Sequence, residues 1–208
     1  STYQVESVNR FPDYQNEYAQ GIGGVFSATT SQSWGPRIVG QTVTNAYNPA
    51  TNANNRTEIL QAYPNNVKDI FRHGHNWQNN ISFSGGSDKN TFRFSYGYLK
   101  NTGVIENNEL TRHNFSLNAS SKVNNYLTVS ASGNYSNNAS RRTQQGNQLS
   151  NPIFRAWFTP RSYNLSAMPW EDAAGNQTYL NLVAGIEDNP YWTIKHNRFR
   201  DEINRFIG

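Results

Sequence analysis

Four places in the chain carry residue types that could do chemistry. His73 and His75, in the run HGH, could be two ligands of a metal ion. No Cys or acidic residue stands at ligand spacing beside them, and a solvated loop running into a strand accounts for them more simply, so no metal site is expected. The pairs Glu171-Asp172 and Glu187-Asp188 offer two carboxylates that a hydrolase could divide between acid and base. Neighbours in an extended chain point to opposite faces, so no catalytic residue and no enzyme activity is expected from them. The run GIGG at Gly21 lacks the Lys-Ser/Thr, strand and helix of a phosphate loop. Asn-x-Ser/Thr triplets such as Asn118-Ala119-Ser120 follow from the abundance of Asn. No cofactor is implied.

The fourth place is aromatic: Trp157, Tyr163, Trp170, Tyr179, Tyr191 and Trp192 crowd one segment. Flat rings suit sugars, and they equally suit a buried contact, because they bring large apolar area at little entropic cost. Folding the segment on itself or docking a partner ranks ahead of direct substrate contact. Pro152, Pro160, Pro169 and Pro190 stiffen the segment, which suits a docking surface.

The elements that must position these residues follow from composition and period. The 208 residues are 35% hydrophobic, 13% aromatic and 15% charged, with a mean hydropathy of -0.81. No run of about 18 apolar residues exists, which excludes a bundle of membrane helices but not a membrane β-barrel, whose strands are apolar only at alternate positions. The aromatics and a net charge of only +4 exclude a disordered chain. Lys and Arg are scattered, with only Arg141-Arg142 adjacent, so no nucleic-acid stripe emerges. Without cysteine there is no disulfide, thiolate site or thiol nucleophile.

Alternation runs through four segments. Trp77, Asn79, Ile81 and Phe83 share one face, while Gln78, Asn80, Ser82 and Ser84 share the other. Phe92, Phe94, Tyr96 and Tyr98 alternate with Thr91, Arg93, Ser95 and Gly97. Phe115, Leu117 and Ala119 follow, then Leu127, Val129, Ala131, Gly133 and Tyr135, each set separated by Ser, Asn or Thr. GGSDKN and KVNN read as tight turns, whereas KNTGVIENNELT and the flanking segments are long.

Short turns at one end and long loops at the other are the layout of an outer-membrane barrel. Trp77, Tyr98 and Tyr135 fall where an aromatic girdle would lie. Arg93 belongs to the polar face, and at a lipid midplane it would cost on the order of 2–4 kcal/mol. A soluble β-sandwich with its stripes meeting in a core explains the period as well. The turn asymmetry tips the reading to the barrel. The chain opens on Ser1 without Met and stops in strand-like NRFIG, so a piece of something larger is expected.

The stretch NVKDIFRHGHNWQNNISFSGGSDKNTFRFSYGYLKNTGVIENNELTRHNFSLNASSKVNNYLTVSASGNYS resembles the barrel of the SusC/RagA family of TonB-dependent outer-membrane transporters. FPDYQNEYAQG and SWGPRIVGQ upstream, and NPIFRAWFTPRSYNL, MPWEDAAGNQTYL and DNPYWTIKHNRFRDEINRFIG downstream, resemble the family's flanking loops. The resemblance implies an all-β segment of a 22-stranded antiparallel transmembrane barrel, without the plug. It implies an extracellular loop region over 1–76, four transmembrane strands in two short-turn hairpins over 77–136, a long extracellular loop over 137–197 and the next strand starting at 198–208. Ile81, Phe83, Phe92, Phe94, Tyr96, Tyr98, Phe115, Leu117, Leu127, Val129 and Tyr135 would then face lipid. The implied place is the outer membrane of a Bacteroidota-type Gram-negative bacterium. There the protein would import glycan or peptide oligomers with a SusD-like lipoprotein and TonB, the TonB-contacting segment lying outside this chain. The six loop aromatics would touch cargo or lipoprotein. The alternatives are a secreted all-β polysaccharide-binding module and a non-transporting barrel that docks within a larger envelope complex.

Overall fold

The structure, a computed structural model, describes residues 1–208 apart from 52, 147 and 179–186. In chain order the strands are β1 (Thr2–Glu6), β2 (Gly21–Ile22), β3 (Val25–Phe26), β4 (Thr42–Asn48), β5 (Ala53–Ile59), β6 (Gly74–Gly86), β7 (Asn90–Thr102), β8 (Glu109–Lys122), β9 (Thr128–Thr143) and β10 (Arg198–Ile207). Two short helices, α1 (Pro152–Phe158) and α2 (Pro190–His196), lie between β9 and β10. The chain forms two compact units: Ser1–Ser7, His73–Arg142 and Phe199–Gly208 make the first, and Val8–Arg72 and Thr143–Arg198 the second.

The first unit is one open antiparallel sheet in the order β1-β6-β7-β8-β9-β10. Among the described residues its two edges, β1 and β10, do not join, so no barrel closes. Connections 87–89 and 123–127 are short because Ser87 and Asn124 close them locally. Ser87 N donates to Asn90 O at 2.6 Å, and Asn124 Oδ1 accepts from Tyr126 N and Leu127 N. The remaining connections are 103–108, between β7 and β8, and the long segments 7–73 and 144–197.

The strands outrun the apolar alternation. β6 begins at Gly74, and β9 continues to Thr143 through Asn137, Asn138 and Ser140, where both faces are polar. Backbone pairing needs no side-chain pattern, which is why period alone ends these strands early. Thr2–Glu6 adds an edge strand inside a segment expected to be loop, pairing Tyr3 with Trp77 and Val5 with His75.

The second unit has its own interior, with Leu60, Val67, Ala156, Leu165 and Ile194 all buried. Its two stretches of chain are clamped by polar side chains. Asn66, buried, donates from Nδ2 to Tyr163 O at 2.7 Å and accepts from Leu165 N at 3.1 Å. Gln20 N donates to Ser162 Oγ, and Tyr63 N to Arg161 O. The β2–β3 hairpin turns through Gly23 and Gly24, both at positive φ, as a two-residue turn matched to strand twist demands.

The helices correct the all-β expectation to mostly β. Both begin Asn-Pro: Asn151 Oδ1 accepts from Ile153 N and Phe154 N, and Asn189 Oδ1 accepts from Tyr191 N. An Asn cap followed by Pro at the first helical position satisfies an orphan donor and presets φ. The prolines expected to stiffen a loop thus start two helices, which pack on each other.

Candidate functional site

Register turns the four alternating segments into rows. Ile81, Tyr96, Phe115 and Tyr135 stand side by side, as do Phe83, Phe94, Leu117 and Gly133. Directly opposed residues in an antiparallel pair share a face, so these rows make one surface. Phe92 and Val129 share it through Ala119 and Ser121, and Leu127 lies in the turn two residues before Val129. The reverse face carries Ser82, Ser95, Ser116 and Asn134 in one row, and Ser84, Arg93, Asn118 and Ser132 in the next.

Rings bind the aromatic face across strands. Trp77 meets Tyr98 edge to face at 5.9 Å, Tyr96 meets Phe115 at 4.8 Å and Phe115 meets Tyr135 at 6.1 Å. His113 completes the ladder between Tyr96 and Tyr98, and its Nδ1 shares a 2.9 Å hydrogen bond with the Tyr96 hydroxyl. Among the described residues nothing covers this surface: Phe83 is 58% exposed, Phe92 53%, Leu117 53% and Val129 52%. Strand spacing and rise make it roughly 400 Å² in area, in the range of the largest apolar patch a monomer exposes, which is often functional. A sandwich would have hidden it under a second sheet.

The second surface lies in the second unit. Trp192 and His196, four apart on α2, project together with ring centroids 4.7 Å apart, and Trp170 lies 6.4 Å from His196. Lys195 Nζ sits 4.2 Å from the centre of the Trp170 ring and donates to Glu171 Oε1 at 3.2 Å. Glu171 Oε2 contacts His196 Nε2 at 2.9 Å. The hydrogen bond from His196, followed by that from Lys195, holds the Glu171 carboxyl below its ordinary value. Trp170 and Trp192 remain half-buried, so their faces are partly open.

The other loop aromatics go elsewhere. Trp157 is 43% exposed on α1 beside Phe158 at 49%. Tyr191 is half-buried, and burial, then the charge of Asp69, pushes its hydroxyl up to about 12. Tyr163 is 3% exposed, so its ring belongs to the interior of the second unit rather than to its surface. Burial raises its hydroxyl too. Tyr179 lies outside the described residues.

The candidate chemical groups have structural partners. Asp172 Oδ1 accepts from Ala174 N and Asn176 N, forming the turn that carries Glu171, and these bonds, with that from Asn176 Nδ2 first, lower its carboxyl. Glu187 pairs with buried Arg155 at 3.3 Å, whose guanidinium also lies over Phe154. Asp188 accepts from Gln177. His75 shares a 2.7 Å hydrogen bond with the Tyr3 hydroxyl, while His73 is exposed. Among the described residues no three His, Cys, Asp or Glu side chains group as metal ligands, and no helix is long and apolar enough to cross a membrane.

Sequence reasoning missed Tyr3, Lys100 and His113 on the aromatic face, and His196 and Lys195 around the tryptophans, and it noted Glu171 only as half of a carboxylate pair. Parity could have found Lys100 and His113, each two residues from a ring already assigned. The Asn-Pro start of α2 could have paired Trp192 with His196.

The fold and surfaces define a mostly β protein with a two-faced open sheet and a second unit that gathers tryptophans around an ionic cluster. No protein-family model matches the chain, and no curated protein matches it.

Proposed function

We propose that this chain belongs to the barrel of an outer-membrane, TonB-dependent importer of the SusC/RagA type, taking up glycan or peptide oligomers with a SusD-like surface lipoprotein. The observation that carries the reading is the uncovered aromatic face of β6–β9, backed by a face of Ser and Asn. In water an antiparallel sheet packs its apolar face on a core. In a barrel that face meets lipid and its reverse meets a wet lumen. The apolar run from Leu127 to Tyr135 is about the 9–11 residues a tilted strand needs to cross. The six strands would form an arc, because so few cannot enclose a wide lumen. Segments 7–73 and 144–197, on this reading, lie outside the cell, where the Trp170, Trp192 and His196 cluster is open to the lipoprotein or to cargo.

The test is extraction of the intact protein from outer membranes in mild detergent, with mass spectrometry of everything that accompanies it. A SusD-like lipoprotein and a bound oligosaccharide or peptide are expected. A chain that stays monodisperse in the soluble fraction without detergent overturns the reading and leaves the secreted polysaccharide-binding module.

A further inference from the structure

At the long-loop end, the aromatic face holds a groove of about 360 Å³ lined by Tyr3, His75, Trp77, Lys100 and Thr102. All five share the face, since Tyr3 pairs with Trp77, Trp77 with Lys100 and His75 with Thr102. Two more cations stand on the same face. Arg141 is opposite Glu109, which is opposite Thr102. Arg200 is two residues from Glu202, whose carboxylate accepts from Asn137 Nδ2. Two strand spacings and one row separate the Lys100 and Arg141 backbones, roughly 12 Å, within the combined reach of their side chains.

Exposed cations stand on both faces, and Arg93 and Arg205 on the polar face have no ion-pair partner among the described residues. On the polar face Arg142 is ion-paired with Asp201, and Arg112 Nε donates to Asn138 Oδ1. On the aromatic face Lys100, Arg141 and Arg200 are exposed, and among the described residues none of them has an ion-pair partner, Glu109 and Glu202 included. Along this one face Arg141 stands in the outermost row, Lys100 shares the next row with Tyr3 and Trp77, Tyr98 follows, and the Phe and Leu rows come after it. That order matches a lipid from phosphate through interface to acyl chain.

We infer that Lys100, Arg141 and Arg200 form a site for the phosphorylated headgroup of a membrane lipid, whose chains run down over the phenylalanine rows. The inference rests on the membrane reading above. A free anion would have no use for the apolar rows beneath the cations.

The experiment titrates lipid A bearing two phosphates into the intact, detergent-solubilised protein and counts bound lipid by native mass spectrometry. The variant Lys100→Ser/Arg141→Ser/Arg200→Ser is expected to bind about a hundredfold more weakly, and each single variant about fivefold. Lipid A stripped of phosphate should show the same loss on the unaltered protein, and Arg112→Ser, at similar height on the other face, should change nothing. Equal binding by the parent and the triple variant overturns the site. If the triple variant does not assemble, unchanged affinity in all three single variants does so instead. Displacement of the lipid by inorganic pyrophosphate at equal concentration also overturns it, in favour of a free-anion site. A protein that needs no detergent at all removes the membrane reading itself, a separable result.

Discussion

Phe94 and Ser95 are consecutive on β7 and belong to opposite surfaces: Phe94 stands between Phe83 and Leu117, and Ser95 between Ser82 and Ser116. On the proposed reading, Phe94→Arg sets a charge against lipid at a cost of about 2–4 kcal/mol, whereas Ser95→Arg meets a wet lumen that already holds Arg93. Heat-modifiable electrophoretic migration of the membrane-assembled protein should show loss of assembly for the first and retention for the second. Equal behaviour would reverse or abolish the face assignment.

Asn66 should be a larger stability determinant than its size implies. Asn66→Ala leaves Tyr163 O and Leu165 N without their side-chain partner in a buried setting, at about 1–3 kcal/mol. Urea unfolding followed by tryptophan emission should show an earlier midpoint, and an unchanged midpoint would mean the clamp carries no stability.

The contact of Glu171 with His196 and Lys195 has a defined pH dependence. The carboxyl is held below its ordinary 4.5, so the contact is fully made above that value and is lost as pH falls through the lower, folded one. Emission from Trp170 and Trp192 should change as pH falls below about 4.5. Glu171→Gln should remove that change. A transition centred well above pH 5 would assign it to another group.

Gly21 and Gly24 should differ sharply as alanines although both have positive φ. A Cβ on Gly21 would lie 2.0 Å from Val25 O, inside the β2–β3 pairing, whereas one on Gly24 meets nothing within 4 Å. Gly24→Ala should cost about 1–2 kcal/mol from its dihedral alone, and Gly21→Ala clearly more. Thermal unfolding of the two variants checks the ranking, and equal melting temperatures would contradict the close approach.

The side-chain surfaces of β6 to β9 were legible because a strand's period is local: once Phe92 faces one way, Phe94, Tyr96 and Tyr98 must follow. The turn at 87–89 was legible for the same reason, its Ser87 hydroxyl accepting from Lys89 N and Asn90 N close by in the chain. The second unit was not, because Asn66 and Tyr163 lie far apart in sequence and no local pattern announces a clamp. Nor could the ionic ring around Trp170 and Trp192 be read, although the Asn-Pro helix starts held half of the signal.

β10 separates the two sources of information most clearly. Its own alternation sets Phe199, Ile203 and Ile207 on one side and Arg200, Glu202, Asn204 and Phe206 on the other, and by itself cannot say which side joins the aromatic rows. The hydrogen bonds from the Tyr135 hydroxyl to Asn204 and from Asn137 Nδ2 to Glu202 and Asn204 decide it, bringing Arg200 and Glu202 to the aromatic face. Sequence alone determined that these strands have two unlike faces. Only the tertiary structure decided which faces meet, because register belongs to hydrogen bonds between strands distant in the chain, and a slip of one residue exchanges every side chain's surface.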